Sequence, residues 1–126
     1  MTDMKVLVPG PLHPISIEAT PTRVTVRLGG RVVADTRHAL TLREAKYPPV
    51  QYIPLADVAP DVLEPSDRTS WCPFKGRASY YSLRVGEDVA DAAVWTYLEP
   101  HRAVAEIKDH VAFLADRVES IVVHED

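Results

Sequence analysis

Lys75 stands between Phe74 and Gly76, two residues after Pro73. A lysine beside a glycine can aim its ammonium at a carboxylate or phosphate while the backbone draws close, because glycine has no Cβ in the way. Burial would instead lower its pKa and make the amine a base or nucleophile. The plainest alternative is a surface lysine in a loop. Cys72 is the other reactive side chain, since a thiolate is an intrinsic nucleophile. It needs a base, and His38, His101 and His110 reach it only through the fold. A lone cysteine between Trp71 and Pro73 is more often a small buried apolar residue.

Aromatic and charged residues supply the rest of a candidate site. Tyr80 and Tyr81 are neighbours on a predicted strand, so their rings point to opposite faces, whereas Trp95 and Tyr97 share one. Tyr80, Trp95 and Tyr97 can line a pocket with polar handles, or simply pack a core. Arg43 and Glu44 end one strand and Glu64 precedes the mid-chain segment. They orient a polar ligand, or form exposed ion pairs of little energetic value. Glu106 and His110 lie four apart on a predicted helix, but a metal site would need a third partner. The chain has no Gly-x-x-x-x-Gly-Lys-Ser/Thr loop, no Gly-x-Ser-x-Gly elbow and no His-Glu-x-x-His.

The elements that must position these residues are short, because proline and glycine cut the chain repeatedly. Residues 1–13 read as an N-terminal extension, with Pro9, Gly10, Pro11 and Pro14 marking a loop. Val24–Leu28 alternates with the strand period, and Gly29-Gly30 joins it to a second strand as a β-hairpin. Further strands are predicted at Ala39–Arg43 and Val50–Ile53, then one or two helical turns within Leu55–Leu63. Residues 64–77 are rich in loop formers and read as a central loop. A second hairpin follows, Ala78–Val85 and Val89–Tyr97 around Gly86-Glu87-Asp88. A helix over His101–His110 and strands at Val111–Leu114 and Val118–His124 close the chain. The two hairpins can be aligned on each other as an internal repeat of two similar β units. The alternative is that every hairpin needs glycine at its turn, which makes such likeness cheap.

Composition bounds the rest. At 126 residues, 46% apolar and 25% charged, the chain is expected to form one folded domain, 1–126. A net charge of −4, from 14 basic and 18 acidic residues, disfavours a nucleic-acid binder. The single cysteine fits a reducing compartment, and no apolar run approaches a membrane span. These features predict a cytoplasmic protein without membrane contact, either monomer or homodimer.

Several pieces together resemble a known family. Glu64-Pro65-Ser66-Asp67, Cys72-Pro73-Phe74-Lys75-Gly76 and Ala78-Ser79-Tyr80-Tyr81-Ser82 are similar to the central signature of the bacterial proteins grouped as domain of unknown function 427. The flanking order is similar too, from the Gly-Gly hairpin through Glu99-Pro100 to Phe113 and Asp116-Arg117-Val118. The resemblance covers almost everything after about residue 13. It implies a β-rich fold of coiled antiparallel sheets, barrel-like and Mss4-like in outline, with one or two short helices. Mss4 relatives often bind zinc through paired cysteines, whereas Cys72 stands alone. Some classifications label the family nucleotidyltransferase-like; no paired-aspartate metal site accompanies that label here. The resemblance marks Ser66, Asp67, Cys72, Lys75 and Gly76 as candidate site residues.

The leading expectation is a binding protein for an anionic small molecule, without metal or cofactor. Its pocket would draw on Arg43, Glu64, Ser66, Asp67, Lys75, Gly76, Tyr80, Trp95 and Tyr97. An enzyme using Lys75 or Cys72, and an interaction module with an exposed hairpin edge, are the alternatives.

Overall fold

In the computed structural model, which describes residues 4–125, alternation and glycine turns produce ten strands. They are β1 (Ile15–Ala19), β2 (Val24–Leu28), β3 (Arg31–Thr36), β4 (Leu40–Glu44), β5 (Val50–Pro54), β6 (Leu63–Cys72), β7 (Gly76–Val85), β8 (Asp88–Tyr97), β9 (His110–Phe113) and β10 (Ser120–Val123). Gly29 and Gly30, at φ of 60° and 77°, make the turn between β2 and β3, a conformation that glycine adopts without a steric penalty. β10 joins that hairpin on the far side of β2, giving a three-stranded sheet. The other seven strands form one antiparallel sheet in the order β1-β4-β5-β9-β8-β7-β6. The two hairpins that look alike in sequence therefore lie in different sheets.

The two-residue period sorts side chains between two cores. Val24, Val26, Val33, Ile53, Leu83, Val94 and Phe113 meet between the sheets. Leu42, Tyr52, Ala78, Tyr97, Val104, Ile107 and Ala112 fill the hollow of the large sheet. As expected, Tyr81 packs towards the first core and Tyr80 towards the second. Neither sheet closes on itself, since β1 and β6 remain edges, so the barrel-like outline is corrected to two open sheets.

Two further expectations are corrected. The segment 64–77 is not a central loop: residues 64–72 belong to β6, 73–75 make a turn and 76–77 open β7, with β6 pairing β7 from Leu63↔Leu83 to Cys72↔Gly76. β6 has a neighbour on one side only, and its register shifts between Pro65 and Thr69. An edge strand with a bulge tolerates proline and polar residues that a central strand would not, which hid it from composition. The helix over His101–His110 shrinks to a 3-10 stretch at Arg102–Ile107, broken at Val104 (φ −126°). His110 opens β9 instead and donates from Nδ1 to the Lys108 carbonyl, so Glu106 and His110 do not share a helical face. The predicted turns within Leu55–Leu63 appear as 3-10 turns at Leu55–Asp57 and Pro60–Val62. No helix among the described residues is long and apolar enough to cross a membrane.

Candidate functional site

A weak seam in the large sheet opens the site. β5 pairs with β9 only through Ile53↔Val111 and Pro54↔His110. Beyond Ile53 the strands part: Val50, Gln51 and Tyr52 stay with β4, while Ala112 and Phe113 stay with β8. Trp95 stands at the parting, with its ring edge-on to Tyr52 at 6.4 Å and its indole N–H donating to the Tyr52 hydroxyl at 3.3 Å. Pro48 and Pro49 keep the β4–β5 connection out of any ladder. The result is a cleft of about 990 Å³ between the splayed hairpin, β9 and the small sheet. A hollow of about 210 Å³ adjoins it and shares Glu44, Lys75 and Trp95 in its walls.

At the junction Lys75 donates to Glu44 Oε1, and His13 Nε2 donates to Glu44 Oε2 at 2.7 Å. The Lys75 and Glu44 side chains are only 11% and 12% exposed. Three local devices assemble this group. Lys75 sits in the turn from β6 to β7, where Gly76 takes φ 115° and His101 donates its backbone N–H to the Lys75 carbonyl at 2.9 Å. A Cβ on Gly76 would lie 3.3 Å from the His101 ring and 3.4 Å from the Glu99 carbonyl. Ala45, directly after Glu44, is held at φ 46° and donates to the Pro14 carbonyl at 2.8 Å, bringing the N-terminal segment alongside β4. The His13 ring then stacks on Phe74, centroids 3.9 Å apart and 5° from parallel.

Electrostatics define what the group can do. Burial pushes the Glu44 carboxyl up, but Lys75 and His13 together outweigh it and hold it below the ordinary glutamate range. Glu44 is therefore a carboxylate at neutral pH, and Lys75 acts towards it as a hydrogen-bond donor. It has three donors, of which Glu44 takes one. Burial raises the phenols of Tyr52 and Tyr97 well above their usual range, so both stay neutral. Tyr97 lines the hollow and, among the described residues, its hydroxyl has no hydrogen-bond partner.

Polar residues in the large cleft are mostly satisfied among themselves. Thr20 Oγ1 donates to Gln51 Oε1 at 2.6 Å, Gln51 Nε2 donates to Thr41 Oγ1 at 3.0 Å, and Thr41 closes the ring to Thr20 at 2.7 Å. Arg43 differs: it lines the cleft, is exposed, and makes no hydrogen bond or ion pair among the described residues.

The structure brings together only part of the predicted set. Lys75, Tyr80, Trp95 and Tyr97 line the hollow, and Arg43, Lys75 and Trp95 line the cleft. Gly76 supports Lys75 through its backbone. Glu64 lies apart, paired with Arg84 at 2.7 Å on the half-exposed surface of β6 and β7. Ser66 accepts the Arg68 backbone N–H at 3.2 Å and Asp67 is exposed on β6. Cys72 packs against the core inside the large sheet and hydrogen-bonds to no histidine among the described residues.

His13, Tyr52, Gln51 and Thr20 went unrecognised in the sequence. His13 lies 31 residues from Glu44 in a proline-rich stretch, and no local pattern links the two. Among the described residues no three His, Cys, Asp or Glu side chains gather as a metal ion would require. Comparison with curated proteins returns no match. A family model described as Domain of unknown function (DUF427) matches residues 16–124, covering both sheets, the cleft and all of the ion-paired group except His13. The chain thus belongs to the DUF427 family, as its mid-chain signature suggests.

Proposed function

We propose that this protein binds a small anionic molecule in the cleft between its sheets. Arg43 would meet the charged group, and the spare N–H donors of Lys75 would orient it. The observation that carries this reading is the combination of a cleft of about 990 Å³ with a guanidinium that has no partner among the described residues. Cavities of this size suit drug-sized ligands, and a few polar groups in an apolar lining set orientation.

Catalysis by Lys75 or Cys72 draws less support. An ammonium held by Glu44 is not a nucleophile, and Cys72 has no adjoining base. A nucleotide substrate would bring more negative charge than Arg43 alone can offset. An interaction module would use the β6 edge, which its bulge and charges disfavour for strand addition.

A thermal-shift screen of carboxylates and phosphates tests the reading. Hits should stabilise the wild type and lose at least half of that shift in Arg43→Ala. Equal shifts in both proteins for every hit would remove Arg43, and the cleft mouth with it, from the site.

A further inference from the structure

Resting on the binding reading above, we infer that the cleft selects an elongated apolar monoanion, a medium- or long-chain carboxylate, over compact or multiply charged anions. Three observations converge on this class. First, the charge in the lining sums to +1, from Arg43 and Lys75 against Glu44. One negative charge is matched there; a phosphate dianion or a nucleotide is not.

Second, the walls below Arg43 are hydrocarbon. Val26, Ile53, Phe113, Ile121 and Val123 line the cleft from the two sheets, and the Thr20–Thr41–Gln51 ring spends its own hydrogen bonds internally. A polar ligand body would find few free partners along these walls, whereas a methylene chain gains by leaving water. Third, the rim leaves apolar surface open: Tyr47 is 66% exposed and Val123 46% exposed. An occupant covering Tyr47 and Val123 while reaching Arg43 must extend across the opening from the β4–β5 tip to β10.

Calorimetric titration of the full-length protein with decanoate, 1-decanol, acetate and ATP decides the matter. Trp95 fluorescence in a Trp71→Phe background reports whether the ligand enters the cleft, because Trp95 lines it. Decanoate should bind at least tenfold more tightly than 1-decanol and perturb Trp95, while acetate and ATP bind weakly or not at all. Arg43→Ala should erase the preference for decanoate over 1-decanol, and Arg43→Lys should restore part of it. Arg43 is exposed, so circular dichroism should show both variants folded.

Equal binding of decanoate and 1-decanol overturns the acid preference and leaves the cleft as an apolar site. Arg43-dependent binding of acetate or ATP without decanoate overturns the apolar class and leaves the anion reading intact. Absence of any Arg43-dependent binding overturns both.

Discussion

At the scale of residues, one carboxylate shared between two nitrogens ties the N-terminal segment and the β6–β7 turn to β4. Removing either partner of a largely buried ion pair leaves a charge without compensation, which costs about 3–5 kcal/mol. Lys75→Met should therefore lower stability by roughly 3 kcal/mol in urea unfolding, the lower end because His13 still faces Glu44. Glu44 also sets an acid limb. Its carboxyl titrates below the ordinary value of 4.5 when folded, so its contribution is whole at neutral pH and fades as pH drops through the folded value. Glu44→Gln should be less stable at pH 7 and should lose less stability than the wild type between pH 5 and pH 3; parallel decline in the two proteins would show that the pair is energetically idle. Beside it, Ala45 holds a left-handed φ of 46° that costs an L-residue about 1 kcal/mol. Ala45→Gly should raise the melting temperature slightly, while loosening His13 from Glu44 would reveal that the alanine matters for placement. Lysine beside glycine was visible in the sequence as a chemical candidate, but its partner was not. Glu44 and Lys75 meet across 31 residues, and no periodicity encodes that contact.

At the scale of elements, the β5–β9 seam governs access. β7 is paired along most of its length on both sides and Val94 of β8 has partners on both sides, whereas β5 keeps β4 and only two positions of β9. Hydrogen exchange should therefore run faster at Gln51 and Tyr52 than at Tyr81 and Val94, because an amide with a single supporting ladder opens locally. Uniform protection across these strands would mean that the seam is closed in solution. The elements differed in how legible they were. The Gly29-Gly30 and Gly86 hairpins could be read directly, because alternation and a glycine turn are local signals. β6 could not, since an edge strand with a bulge carries the composition of a loop. β1 is five residues set between Pro14 and Pro21, too short for its alternation to stand out. The spacing of Val104 and Ile107 suits a helix, and both are buried, but on a 3-10 stretch whose residues 102–107 never complete an α-helical face.

At the scale of the whole molecule, two sheets that fail to close leave a chamber between them. Membership of the DUF427 family was legible from the mid-chain signature, and so was a β-rich fold. The cleft was not, because it arises where pairing stops, and sequence patterns report where pairing occurs. The aromatic residues expected around one pocket, Tyr80, Trp95 and Tyr97, all line the inner hollow with Lys75, and of these only Trp95 and Lys75 also reach the outer cleft. The proposed function requires that this chamber hold a ligand. Its most direct test is amide chemical-shift mapping of isotope-labelled protein titrated with decanoate. Shifts are expected to concentrate at Thr41, Arg43, Gln51, Ile53, Phe113 and Ile121, which line the cleft on both sheets. Shifts confined to the exposed N-terminal residues Val6, Val8 and Leu12, or none at saturating ligand, would contradict it.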